Sequence, residues 1–348
     1  MSTSEPCPPE ESLSRFLDGE LDVSELGMLE QHLDGCNDCR RLLAVLQQQE
    51  EQDERPSTAR SGWLTGMGPG TLPPGFLFDG RYRLERLLGR GAVGEVYQAT
   101  DTMLCTRVAL KLLVGTRLRD SEAEKLLRRE VLITREIAHG NVCRIFDAGR
   151  ADGICYLTME LLEGGTLRNF LQGAGLLDHE DARPFVYQMT AGLQAAHDAG
   201  VVHRDFKSEN ILLVPGDPGP PRVVVTDFGL AKVFAGKGLI STLGVRRTGT
   251  LTHAAPEQLR GESVGTAADI YALGVVLFEL ISGGHLPVIG SNELEIIRHR
   301  AQGKSPSLRR FRADVPPRWE QVISRCMYLD PAHRPRRPAE IFRALYPH

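Results

Sequence analysis

The chain has 348 residues, of which 41% are hydrophobic and 25% charged, with a net charge of −4. At roughly 100–200 residues per domain this length suggests two domains, and the near-neutral balance gives no reason to expect nucleic acid. No window of about 18 consecutive apolar residues marks a membrane span, and the first residues lack the basic and apolar regions of a secretory signal.

Seven cysteines, an odd number spread over both halves, argue against a disulfide framework and for a reducing, cytoplasmic setting. Residues 1–60 carry 14 acidic and 5 basic residues, while the remaining 288 carry 31 and 36. This asymmetry places a boundary near residue 60.

Residues 11–49 read as short helices, with apolar stripes at Leu13, Phe16 and Leu17, at Leu26, Leu29 and Leu33, and at Leu42, Leu43 and Leu46. We take 1–49 as a small all-α module. Residues 50–79 turn polar and then rich in Gly and Pro, so they read as a flexible linker. Within the module His32, Cys36 and Cys39 form H-x3-C-x2-C. His32 and Cys36 are one helical turn apart, so both can face one ion. Cys7 is the candidate fourth ligand of a tetrahedral Cys3His Zn2+ site. The alternative is a helical hairpin with two thiols and a surface histidine. A metal staple is favoured because so short a segment rarely builds a sufficient core.

From Arg81 the pattern changes. Strand-like stretches flank a glycine turn, a further one ends at Lys111, and a helix is expected over 121–138, then strands near Val142–Ala148 and Ile154–Met159. Helical patterns follow at 181–199, 267–282, 317–328 and 338–345. A small strand-rich part followed by a larger helical part is a two-lobed α+β arrangement over 80–346.

The turn reads Gly89-Arg90-Gly91-Ala92-Val93-Gly94-Glu95-Val96. Glycines let backbone N–H groups approach phosphate oxygens unobstructed. No helix follows, which excludes a dinucleotide-binding turn. Val108-Ala109-Leu110-Lys111 is an apolar strand ending in a lysine that could reach phosphates. Glu130 shares a helix face with Leu127, Thr134 and Ile137, and is a candidate partner for that ammonium. A solvated lysine and a solvated edge glutamate are the plain alternatives.

His203-Arg204-Asp205-Phe206-Lys207-Ser208-Glu209-Asn210 follows a helix, and Val223 to Gly229 is an apolar strand ending in Asp227-Phe228-Gly229. Phosphoryl transfer needs metal on the phosphates, an oriented hydroxyl and positive charge on the moving group. Asp227 and Asn210 could hold Mg2+, Asp205 could orient a hydroxyl, and Lys207 could stabilise the γ-phosphoryl.

Taken in order, G-x-G-x-x-G-x-V, V-A-L-K, a helix glutamate, H-R-D-x-K-x-x-N, D-F-G and Ala255-Pro256-Glu257 resemble the protein-kinase family over about 265 of the 348 residues. The resemblance implies ATP with Mg2+ (or Mn2+) as cofactors, with Gly89, Gly91 and Gly94 over the phosphates. It implies an adenine slot of Leu88, Val96, Ala109 and Leu212, with Met159 behind it and a hinge from Glu160 to Leu162. It also implies that Glu257 pairs with Arg334, and that Asp269 ties down the catalytic loop. Lys207 resembles the serine/threonine branch, and H-R-D-F-K its bacterial members, so protein Ser/Thr hydroxyls are the implied substrates. A non-catalytic scaffold and a small-molecule phosphotransferase are the rival readings. Intact Lys111, Asp205, Asn210 and Asp227 speak against the first, and H-R-D-x-K with A-P-E against the second.

The segment from Leu230 to Ala254 carries Ser241, Thr242, Thr248, Thr250 and Thr252, and resembles a phosphorylated activation loop with Thr242 as the first candidate. His253 stands where the family often has tyrosine, and Pro215–Pro221 reads as an inserted solvent loop. In the N-terminal module, Phe16 to Leu21 followed by His32 and C-x2-C resembles the small zinc-finger domain of bacterial anti-sigma factors. That implies a sigma factor or another regulator as partner. Cys105, Cys143, Cys155 and Cys326 are expected in the core.

Overall fold

The computed structural model describes residues 28–29, 32, 36, 72–91, 94–113, 129–151, 153–216, 218–228, 252–287, 290 and 293–347. The chain divides into two units, Met1–Gly68 and Pro69–His348. In the first, Met28, Leu29 and His32 are helical, and Leu29 is buried. The Cys36 N–H donates to the His32 carbonyl at 2.9 Å, a bond spanning one helical turn. Cys7, Cys39, the rest of the expected helices over 11–49 and the expected linker over 50–71 lie outside the described residues.

The second unit opens with a six-stranded antiparallel sheet in the order β1-β2-β3-β4-β6-β5. Its strands are β1 (Leu77–Phe78), β2 (Tyr82–Gly91), β3 (Gly94–Asp101), β4 (Thr106–Leu113), β5 (Ile145–Ala151) and β6 (Ile154–Met159). Side chains alternate across a strand, so Tyr82 and Leu84 of β2 are buried while Arg83 is exposed. Residues 72–79 depart from the linker expectation. The Leu72 N–H donates to the Tyr97 hydroxyl at 3.0 Å, and β1 pairs with β2. Phe78 meets Tyr156 edge-on at 5.3 Å. Two apolar anchors, Leu72 and Phe78, outweigh the local Gly and Pro content. The chain is helical over 129–135; of the helix expected at 121–138, residues 136–138 are non-helical and 121–128 lie outside the described residues.

A three-stranded sheet of β7 (Gly165–Thr166), β8 (Ile211–Gly216) and β9 (Gly219–Val225) borders the helical part. The expected loop Pro215–Pro221 is largely the end of the β8–β9 hairpin, where Gly216 pairs with Gly219. The helices are α1 (Leu167–Ala174), α2 (Arg183–Asp198), α3 (Pro256–Leu259), α4 (Thr266–Ser282), α5 (Glu293–Ala301), α6 (Pro317–Cys326) and α7 (Pro338–Leu345). Every residue of α4 from Ala268 to Ser282 is buried, as an all-round apolar helix must be. Gly274 lets α6 approach closely: a Cβ there would sit 2.6 Å from Cys326 Cβ.

The sequence pattern did not reveal α1 or α5. Cys143, Cys155 and Cys326 are buried, but Cys105 is exposed, at positive φ in the β3–β4 turn, where no core is within reach. Among the described residues no helix is long and apolar enough to cross a membrane.

Candidate active site

The catalytic loop is held by its backbone. Asp269, in the first turn of α4, accepts the N–H groups of His203 and Arg204, both at 2.8 Å, and contacts His197 Nε2 at 2.8 Å. A carboxylate at a helix N-terminus also complements the helix dipole. Arg204 has φ of 66°, a left-handed conformation that a non-glycine residue adopts at a cost. Its two peptide groups are fixed on either side, because Gln258 Nε2 donates to the Arg204 carbonyl at 2.8 Å. His203 is fully buried, contacts the Thr226 carbonyl at 2.8 Å and packs on Phe228 at 4.5 Å. Burial holds its imidazole below the ordinary range.

This scaffold presents three polar side chains together. Lys207 Nζ donates to both Asp205 oxygens, at 3.0 and 2.9 Å. Asn210 Nδ2 donates to the Asp205 carbonyl at 2.8 Å and to its Oδ2 at 3.1 Å. The Thr226 N–H donates to the Asn210 carbonyl at 2.9 Å, which ties the loop to the strand end carrying Asp227.

Asp227 also has positive φ, 64°, and its Oδ1 lies 2.7 Å from Lys111 Nζ. Its withdrawal from water opposes ionisation, but the Lys111 ammonium outweighs this and holds its carboxyl below the usual range. Among the described pairs, Lys111 thus meets Asp227 at the end of β9. Glu130 is buried in the helical segment 129–135.

The glycine hairpin is the β2–β3 turn, with Gly91 paired to Gly94. Gly94 must be glycine: a Cβ would sit 1.8 Å from the Leu112 carbonyl oxygen, and φ is 149°. Beneath this hairpin an apolar cluster joins Ala109, Cys143, Met159 and Val224, with half-buried Val96, Leu161, Leu162 and Val214 against it. Four of the expected adenine contacts, Val96, Ala109, Met159 and Leu162, thus share one cluster. Leu212 is half-buried on β8 opposite Val224, and Leu88 is 38% exposed on β2. Cys143 and Val224 were missed, although Val224 lies in the apolar run before Asp227.

At the hinge the Glu160 N–H donates to the Arg144 carbonyl at 2.9 Å, and Arg222 grips the Glu160 carboxylate at 2.5 Å. Arg222 was not singled out in sequence because nothing local marks it. Gly229 and residues 230–251, which hold the activation-loop candidates, lie outside the described residues.

On the far side of the catalytic loop, Arg334 makes a two-pronged pair with Glu257 at 2.6 and 2.8 Å, as the resemblance implies. His253 Nε2 lies 3.0 Å from Glu279, which is fully buried and also meets Arg168 at 2.6 Å and the Ser208 hydroxyl at 3.1 Å.

Comparison with known proteins agrees with this geometry. The "Protein kinase domain" family model matches residues 82–346, and a "Putative zinc-finger" family model matches residues 10–40. The serine/threonine-protein kinase PrkC of Bacillus subtilis is 35% identical over 256 residues, covering 74% of this chain and 38% of PrkC. PknA of Mycobacterium tuberculosis is 35% identical over 267 residues, covering 75% of this chain and 60% of PknA. The chain therefore spans less than two thirds of these relatives' length. Among solved structures, the Mycobacterium tuberculosis PknI kinase domain superposes with a TM-score of 0.62 at 26% identity, covering 79% of this chain and 98% of that domain. Asp205, Lys207, Asn210, Asp227 and Lys111 stand in one hydrogen-bonded set, and the family model spans residues 82–346 around it: the chain belongs to the protein kinase family.

Proposed function

We propose that this chain transfers the γ-phosphate of ATP to serine and threonine hydroxyls of protein substrates. The observation that carries this is the hydrogen-bonded set Asp205, Lys207 and Asn210, joined through Thr226 to the Asp227–Lys111 pair. Asp205 accepts the hydrogen of the substrate hydroxyl and orients its oxygen. Lys207, already on Asp205, offsets charge on the transferring group, and Lys111 meets the α- and β-phosphates. The apolar cluster around Met159 and Leu162 suits the planar base.

The donor set fits Mg2+ or Mn2+. Asp227 offers a carboxylate, and Asn210 spends its NH2 on Asp205, so its amide oxygen is the remaining polar end. Among the described residues no three His, Cys, Asp or Glu side chains could hold a metal unaided, which suits an ion completed by substrate phosphates. Bound there, the ion neutralises phosphate charge. The test is transfer of labelled γ-phosphate to a generic Ser/Thr protein; absence of transfer by pure protein with MgATP would overturn the reading.

Two regulatory features belong to this reading. Arg204 has no ion-pair partner among the described residues, and such a guanidinium suits a phosphate on the activation segment. Mass spectrometry after incubation with MgATP is expected to find phosphate on Thr242, with Ser241 and Thr248 as alternates. Thr242→Ala should lower activity, and an unmodified segment with full activity would contradict this.

The N-terminal module is proposed to bind one zinc through Cys7, His32, Cys36 and Cys39 and to contact a sigma factor or another regulator. The turn-spaced His32 and Cys36 and the family match over 10–40 support it. Metal analysis of reduced, chelator-free protein should give about one zinc per chain, lost on Cys36→Ser with Cys39→Ser. A metal-free result would refute the site. Buried thiols at Cys143 and Cys326 accord with a reducing, cytoplasmic setting.

A further inference from the structure

Arg300, in the last turn of α5, is 2% exposed. Long charged side chains are almost never fully buried unless paired. Arg334 obeys that rule through Glu257. Arg300 has no carboxylate partner among the described residues. Its Nη1 donates to the Tyr271 hydroxyl at 2.9 Å, its Nη2 donates to the Thr252 carbonyl, and its Nε finds no acceptor. Its guanidinium lies 5.6 Å from the Tyr271 ring centroid, and Arg334 lies 5.0 Å from the same ring. A cation so placed is held at a desolvation cost, and its one backbone acceptor is the peptide of Thr252.

That peptide has a second anchor. The next side chain, His253, is held by Glu279, which also takes the Ser208 hydroxyl three residues beyond Asp205. Just beyond, Gln258 reaches the Arg204 carbonyl. Residues 252–258 therefore form a ledge beside the catalytic loop. The backbone of the ledge is gripped from α5, one side chain from α4, and its end from the loop itself.

We propose that Arg300, assisted by the Tyr271 hydroxyl, is a positioning residue for the protein substrate: it fixes the Thr252 peptide so that the ledge receives the chain flanking the target hydroxyl beside Asp205. This rests on the kinase reading above. The nucleotide slot is built from β3, β4, β6 and β9, so Arg300 acts on the peptide and leaves ATP unaffected.

The experiment compares wild type, Arg300→Met, Arg300→Lys and Tyr271→Phe by steady-state kinetics and by amide hydrogen exchange. Arg300→Met keeps the apolar stem and removes the donors. It should raise the KM for a Ser/Thr peptide by about tenfold or more, the size of a lost charge-assisted hydrogen bond, with the ATP KM within about twofold. Arg300→Lys should recover part of that loss. Tyr271→Phe, which deletes one oxygen and keeps the ring, should show the same split at smaller size, and serves if Arg300→Met does not fold. Exchange of the amides over 252–255 should quicken in both variants while 203–210 stays protected, and this readout needs no activity. Unchanged exchange over 252–255, or peptide and ATP KM rising together, would overturn the proposal. A wild type that transfers no phosphate, with quickened exchange in the variants, would instead sink the kinase reading and leave the Arg300 clamp standing.

Discussion

Asp205→Asn is expected to lower phosphate transfer by about two or more orders of magnitude while leaving the ATP KM nearly unchanged. The Asp205 carboxylate accepts hydrogen bonds from Lys207 and Asn210, and its remaining acceptor capacity is what a substrate hydroxyl requires. The amide has one oxygen in place of two. It must either turn an NH2 toward the Lys207 ammonium or lose the acceptor for the hydroxyl hydrogen. Asp227→Asn should be at least as severe, and differently so. It removes the negative charge that faces Lys111 at 2.7 Å and the carboxylate donor for the metal. Its ATP KM should rise as well, because nucleotide binding with metal depends on that charge. Steady-state kinetics with ATP and peptide varied separately would distinguish the two patterns. Wild-type turnover in both variants would show that neither aspartate touches the reacting groups.

The largest effect on stability is expected at Arg334. Its guanidinium is 2% exposed and Glu257 3%. Besides the two-pronged pair, it donates to the carbonyls of Ala267, Tyr328 and Leu329. Arg334→Met leaves the Glu257 carboxylate buried without its counter-ion and strips three carbonyls of a donor. A broken buried pair of this kind costs about 3–5 kcal/mol. The double change Glu257→Gln with Arg334→Met should cost less than Arg334→Met alone, since no bare charge remains. Urea unfolding of the three proteins measures this, and a single variant within about 0.5 kcal/mol of wild type would mean that water reaches the pair.

What could be read from sequence was local. Residues 203–210 and 223–228 carry their polar groups in unbroken stretches, and the side chains of Asp205, Lys207, Asn210 and Asp227 that the sequence singled out do come together. The strand β6 and the helix α7 also stand where their apolar patterns put them, at Ile154–Met159 and Pro338–Leu345. Long-range pairing was less legible. Lys111 lies on Asp227, whose left-handed φ brings its carboxylate to β4, and no helix periodicity could reveal that. Arg222 at Glu160 and Arg300 at Thr252 join residues far apart in the chain, each in ordinary surroundings. Residues 72–79 looked like linker because Pro73-Pro74-Gly75 continues the Gly- and Pro-rich stretch before them. Two apolar side chains and one N–H to Tyr97 are enough to dock them. His253 could be flagged as a departure from the family, but its partner Glu279 is hidden inside an apolar helix.

The central claim is that the cleft phosphorylates protein Ser and Thr. Phosphoamino-acid analysis of a mixed protein substrate labelled with γ-phosphate tests it most directly. The account predicts label on phosphoserine and phosphothreonine, dependent on Mg2+ or Mn2+ and absent with Asp205→Asn. Label on phosphotyrosine, or equal labelling by Asp205→Asn, would contradict it.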